Sequence, residues 1–392
     1  MDKESDNQNR TTMRRREFLS SAAIPVAAAL VSPALLAQSS RSSTATRQDK
    51  IRVGLIGAGA NARSVQIPGF QRIPECEIVA VANRSLQSSQ RVADQFNIPR
   101  AYANWQALLE DDDIDAVLIG TWPYMHRNIT LAALNSSKHV LCQARMANNA
   151  AQAHEMLAAS RRYPDLVCQL VPTSATYAID RVLQRLLAEA YVGEVLSVDV
   201  QRVQRRFADF GGELDWRHDR EFSGYNVLNI GSTYESMLRW FGSGNRIMAM
   251  SKIHVQNRRN ATGELQAVSM PDHLDVLYEL DNGAQVHMKF SETSGLSSGN
   301  HTWIFGTEGT IHVDGSRNVF VGRRGDMELA ELANPREQQA FYRVEEEFIN
   351  AIRGVEEITM TTFETGVQYM EWTEAVHHSS ESGAAVNLPL TL

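Results

Sequence analysis

Between residues 51 and 171, short apolar runs alternate with amphipathic stretches. Strand-length runs rich in Val, Ile, Leu and Ala lie at 51–56, 77–82, 116–121, 139–142 and 167–171. Between them, 88–96, 105–110, 127–135 and 149–162 place apolar residues at helical spacing. Regular alternation of β and α elements predicts a parallel, doubly wound sheet. From about residue 172 the pattern changes. A helix at 179–187 precedes a strand at 195–203, with apolar and polar residues alternating along it. Further strands are expected at 253–256, 274–280, 285–290, 302–305, 310–313 and 318–321, and Asp281-Asn282-Gly283 is a hairpin turn signal. Helices at 234–240 and 338–353 flank them. Strands in succession predict a mostly antiparallel sheet. The expected fold is therefore an α/β Rossmann domain over 51–171, followed by an α+β domain over 172–392 that carries substrate and oligomer contacts. An exposed face of the second sheet would suit a homo-oligomer.

The first residues read as an address. Arg14-Arg15-Arg16-Glu17-Phe18-Leu19 precedes an apolar run over 22–37 that contains Pro25 and Pro33. A basic region, a short apolar region and small residues near Ala37 make a secretory signal over 1–37. Arg15-Arg16-x-Phe-Leu resembles the twin-arginine signal, which implies the Tat export machinery, folding before export, and a periplasmic or secreted location. The alternative is a basic amphipathic N-terminus with no export role. The run is too short and too rich in Ala and Pro for a stable membrane span. Residues 38–50 are polar and read as a linker.

Net charge is -8 with acids and bases intermixed, which argues against a nucleic-acid binder. The cysteines Cys76, Cys142 and Cys168 form neither a disulfide framework nor a metal-ligand spacing. His254, His273, His287 and His301 are scattered along predicted strands, and His377-His378 reads as helix surface. No metal site is expected.

The first strand runs directly into Gly57-Ala58-Gly59-Ala60-Asn61-Ala62, a G-x-G-x-x-A turn between strand and helix. Gly57 permits the tight turn, Gly59 lets backbone approach a pyrophosphate, and Ala62 allows close helix–strand packing. The pyrophosphate sits on a helix N-terminus, where free N–H groups favour anions. The second strand ends at Asn83-Arg84-Ser85. An acid there would bind the ribose 2′-hydroxyl of NAD. A guanidinium beside a hydroxyl suits a 2′-phosphate instead, so the expected cofactor is NADP, with NAD the alternative; Arg84 stacked on adenine or solvated also fits.

This layout resembles the Gfo/Idh/MocA oxidoreductases over nearly the whole mature chain. The likeness rests on the glycine turn, on Gly120-Thr121-Trp122-Pro123-Tyr124-Met125-His126, on Lys138-His139-Val140-Leu141-Cys142, and on residues 223–240. It implies that Thr121, Trp122, His126 and Gln143 border the cofactor along with Ala60 and Asn61. It also implies a Lys, an Asp and a His for chemistry. The matching positions hold Ala144, Asn229 and Thr233, and Arg145 stands where the pattern has Pro. None of the three can serve as a general base near neutral pH.

The candidates left for catalysis are Arg145, Tyr225 and His126. Arg145 stays protonated and can steady an alkoxide. Tyr225 beside a guanidinium can act as acid and base, or can wall a sugar pocket. His126 can act catalytically or as a satisfied structural donor. Trp122 and Tyr124 are expected at a pocket rim. Trp216, Arg217, His218, Asp219 and Arg220 can bind hydroxyl or carboxylate groups, or be solvated. Three functions follow. One is an exported NAD(P)-dependent oxidoreductase on a sugar, cyclitol or polyol hydroxyl. A second is a cofactor-retaining glycosidase, epimerase or lyase using transient oxidation. The third is a non-catalytic binding protein.

Overall fold

The structure, a computed structural model, describes residues 50–391; the twin-arginine segment and the linker as far as residue 49 lie outside the described residues. Strands β1 (Ile51–Ile56), β2 (Cys76–Ala82), β3 (Arg100–Tyr102), β4 (Ala116–Ile119), β5 (His139–Cys142) and β6 (Cys168–Leu170) form one parallel sheet. Their order is β3-β2-β1-β4-β5-β6. Every residue of β4 is buried, as expected of a parallel strand covered by helices on both faces. The winding reverses between β1 and β4. The carboxyl ends of those two strands therefore border the crevice where such sheets take ligands.

Local chemistry sets the helix boundaries. Ser85 caps the helix Leu86–Phe96, its hydroxyl accepting the Ser88 N–H at 3.2 Å. Pro123 starts the helix Pro123–Asn135 at its first turn, where a missing N–H costs nothing, so this helix begins four residues before the predicted start. His126 thus lies in a first turn, with its ring directed into the protein.

The second domain carries β7 (Val195–Val203), β8 (Gly244–Lys252), a small hairpin of β9 (Asn257–Arg259) and β10 (Leu265–Ala267), then β11 (His273–Leu280), β12 (Gln285–Ser291), β13 (His301–Gly306), β14 (Gly309–Val313), β15 (Val319–Arg323), β16 (Ala330–Leu332) and β17 (Val386–Asn387). Apart from the hairpin they form one sheet, in the order β16-β15-β14-β13-β7-β12-β11-β8-β17. Only the β7–β12 pair is parallel. The expected strand at 253–256 is a loop. Asp272 holds it by accepting the N–H groups of His254 and Val255, and the strand itself ends at Lys252. Because Met248 and Met250 point to solvent, β8 lacks the clean alternation that would have revealed it.

Inward residues of this sheet build the larger core. The outward row runs Met248–Leu277–His287–Asp199–Trp303–His312–Phe320 across seven strands. Two late helices each complete one of the two cores. Val344–Ile352 returns to the first domain and buries Val344, Phe348 and Ile349 beside Val53, Leu55 and Phe70. The last helix, Phe363–Ser382, buries Tyr369 and Trp372 completely. Each such side chain contributes about 1.5–3 kcal/mol.

Candidate active site

The glycine turn holds its shape through close backbone contacts. Gly57 has φ +85°, and a Cβ there would stand 2.7 Å from the Thr121 nitrogen. A Cβ on Gly120, just past β4, would stand 2.5 Å from the Gly57 carbonyl oxygen. The ends of β1 and β4 therefore touch through glycines. Gly59 is different: a Cβ there meets nothing nearer than the Gly120 oxygen at 3.9 Å. No protein atom requires glycine at that position, and the space beside it is open to a ligand. Ala62 is buried against the turn.

Asn83 is built into this turn. Its Oδ1 accepts the Ala58 N–H at 2.8 Å and its Nδ2 donates to the Ser88 carbonyl at 3.1 Å. The Ser85 hydroxyl caps a helix. Of the trio expected at the ribose, only the exposed Arg84 has an uncommitted side chain among the described residues. At the ends of β4 and β5, Thr121 Oγ1 and Gln143 Nε2 are buried without a hydrogen-bond partner. Gln143 Oε1 accepts from Asn61 Nδ2 at 3.1 Å, tying β5 to the glycine turn. Orphaned polar atoms around an open glycine turn fit a bound dinucleotide, since buried polar groups otherwise find partners. Ala60 and Asn61 open the helix and are exposed, as that role requires.

The three residues expected to act as catalysts do not share a site. His126 is wholly buried; Nε2 lies 2.9 Å from the Thr121 carbonyl and Nδ1 3.0 Å from the Arg145 carbonyl. Burial lowers its pKa, against the pull of those carbonyls. It staples two strand ends and offers no nitrogen to a substrate. Arg145 is also buried. Its Nη1 donates to Glu235 Oε2 at 2.5 Å, its Nη2 to Ser232 Oγ at 2.9 Å, and its guanidinium stands 4.8 Å from the Tyr369 ring centre. Glu235 also accepts from Arg239, Thr361 and the Thr173 N–H, so the guanidinium is locked into a buried network. Tyr225 stacks on His377 with ring centres 4.4 Å apart. Burial and the nearby Glu374 raise its pKa, outweighing Arg220, so the expected lowering by a guanidinium does not occur. His377, expected at the surface, is half-buried by this stack.

The aromatic rim does assemble. Trp122 stacks on Trp216 at 5.7 Å and 17°, and Phe222 meets both Trp122 and Tyr124 edge-on. Beyond Trp216 opens a cavity of about 380 Å³ lined by Arg206, Arg217, His218, Asn229, Arg258 and Glu292, among others. That volume lies in the range of small-molecule sites. Arg217 lies over the Trp216 ring, 4.3 Å from its centre. His218 Nδ1 accepts the Asp215 N–H at 2.9 Å. Burial, reinforced by Arg258, lowers its pKa. The neutral ring then carries its hydrogen on Nε2, which has no partner among the described protein residues. Asn229 lines the same cavity in a left-handed backbone conformation, φ 59°. Arg206, Arg258 and Glu292 carry no motif. The only sequence sign of the two arginines is their place in the pairs Arg205-Arg206 and Arg258-Arg259.

A glycine turn at the switch point of a parallel sheet, followed by a domain built on a mostly antiparallel sheet, defines a two-domain dinucleotide-binding protein. The chain belongs to the Gfo/Idh/MocA oxidoreductases: residues 51–169 match "Oxidoreductase family, NAD-binding Rossmann fold" and 181–312 match the "GFO/IDH/MocA C-terminal domain". It is 26% identical to trans-1,2-dihydrobenzene-1,2-diol dehydrogenase of Xenopus laevis over 237 residues, 60% of this chain and 67% of that one. The enzyme of the same name from Mus musculus is 27% identical over 67% of this chain and 74% of its own. A levoglucosan dehydrogenase in complex with NADH and L-sorbose has the same fold, with TM-score 0.76 at 20% identity over 88% of this chain and all of that one.

Proposed function

We propose that the protein is an exported NAD(P)-dependent oxidoreductase acting on a hydroxyl of a sugar, cyclitol or related diol. The observation that carries this reading is the Trp122–Trp216 stack, which sets the strand end beside the glycine turn against the loop whose Arg217 and His218 line the cavity with Asn229. A bound nicotinamide supplies the hydride acceptor or donor. The chain's own part is to hold and to neutralise. Trp122 and Trp216 offer aromatic faces to C–H surfaces of the substrate. His218 donates Nε2–H to the substrate oxygen, as a neutral imidazole does at a developing alkoxide. Glu292, which lines the cavity with His218, accepts the hydroxyl proton in place of the missing lysine. Arg84, exposed and uncommitted, favours a 2′-phosphate and hence NADP. The Arg15-Arg16-x-Phe-Leu signal supports export through the twin-arginine route. The outward row of the second sheet supports a homo-oligomer. The name of the diol dehydrogenases supports a vicinal diol as the reacting group. Purified protein supplied with NADPH or NADH and a panel of sugars, ketoses and diols is the test. Turnover with at least one compound is expected, and silence across the panel in both directions would overturn the reading.

A further inference from the structure

The cavity lined by Arg217 and His218 holds three guanidiniums, and among the described residues only one has an acid partner. Arg217 pairs with Asp215 at 3.4 Å and lies on the Trp216 ring. Arg206 and Arg258 line the same cavity and form no ion pair among the described residues; Arg206 is exposed, while Arg258 Nη1 and Asp209 Oδ2 both border Gly212. Arg258 is half-buried on the small β9–β10 hairpin, and its Nε is buried with no acceptor. A guanidinium is a fixed fork of donors suited to two oxygens of one anion, and leaving its donors unmet in a half-enclosed space is unfavourable.

The carboxylates in the cavity do not meet that need. Asp209 Oδ1 accepts the Gly211 N–H at 3.0 Å. Asp215 accepts the Arg217 N–H at 2.9 Å. Glu292 Oε1 accepts from Gln204 Nε2 at 3.1 Å. Glu213 lines the cavity without an ion pair among the described residues. Acids spread around two unpaired guanidiniums suit a ligand with several hydroxyls, which donate to carboxylates, and one anionic group, which accepts from arginines. Four lining carboxylates repel a dianion more than a monoanion, which favours a carboxylate over a phosphate.

We infer that the substrate is a sugar acid, an aldonate or uronate, whose carboxylate is held by Arg258 and Arg206. This rests on the cavity being the substrate site of the proposed oxidoreductase. It makes Arg258 and Arg206 specificity-determining residues and leaves the reacting hydroxyl to His218. The test is calorimetric titration of the purified protein, without added nucleotide, by D-glucuronate, D-gluconate, D-glucose and D-glucose 6-phosphate. Expected is binding of at least one of the two acids, weakened by added salt, with glucose bound at least about tenfold more weakly. Arg258→Gln and Arg206→Gln, each checked for a wild-type melting temperature, should each lose about tenfold or more for the acid. Glucose binding as tightly as the acids overturns the inference. So does tightest binding of the sugar phosphate, failure of both acids to bind, or full affinity in both folded variants. Failure here with turnover of a neutral sugar leaves the oxidoreductase standing. Binding of an acid by a protein that turns over nothing counts against the oxidoreductase alone.

Discussion

Arg145 and Glu235 meet at 2.5 Å in the interior, 90 positions apart in the chain, with the Arg145 side chain 5% exposed and that of Glu235 fully buried. Arg145, expected from the sequence to act in catalysis, is thus tied to a carboxylate that also holds Thr361 and the Thr173 N–H. Its place is structural. Removing one partner of such a pair leaves a buried charge unmatched. Arg145→Ala is expected to cost about 3 kcal/mol in chemical denaturation, at the low end of the usual range because Arg239 also pairs with Glu235. A stable Arg145→Ala protein that had lost all turnover would show the opposite.

Tyr225→Phe tests the second candidate. A proton-transfer group contributes about 10²- to 10⁴-fold. Tyr225 stacks on His377, and its hydroxyl is held above the usual phenol range. Its loss should change kcat/KM by less than about tenfold and leave the pH profile in place.

What the sequence revealed was local. The turn at Gly57, Gly59 and Ala62 was legible because its residues are consecutive and sit between a strand and a helix. Alternation within β7, β11 and β12 was legible for the same reason. The partners of His126, Arg145 and Tyr225 lie 19, 90 and about 150 positions away, and no periodicity reports such contacts. Asn83 shows the limit most plainly. It was placed correctly at the end of β2, yet its amide faces the turn and its own helix, which only coordinates reveal. The return of Val344–Ile352 to the first domain was illegible too, since an amphipathic helix does not state which core it covers.

Glu345 gives a pH signature. Burial raises its carboxyl to about 7, against the pull of the Tyr342 hydroxyl, which donates to it at 3.1 Å. A folded-state value above the unfolded value of 4.5 means that the native protein binds more protons between the two. That stability is fully present below pH 4.5 and is lost as pH rises to about 7. Glu345→Gln should flatten this part of the stability–pH curve, by on the order of 3 kcal/mol across the window. Melting curves at stepped pH would read it, and an unchanged slope in the variant would refute it.

The outward row of the second sheet predicts self-association. Leu277 is 55% exposed, opposite Met248 and His287. Leu277→Lys should leave the fold within about 0.5 kcal/mol while reducing the assembly to monomers in light scattering. A wild-type protein that is already monomeric would remove the basis for an oligomer.

Gly59 borders the space that a bound dinucleotide would fill beside the turn. Among the described residues a Cβ there meets nothing nearer than the Gly120 oxygen at 3.9 Å, and its backbone is not left-handed, so Gly59→Ala adds a methyl group to the space a nucleotide would fill. The measurement is fluorescence titration of wild type and Gly59→Ala with NADH and NADPH, with thermal melts alongside. The prediction is an unchanged melt with wild-type binding of at least one nucleotide weakened about tenfold or more in the variant. Equal affinity in both proteins, or no binding by the wild type, would contradict it.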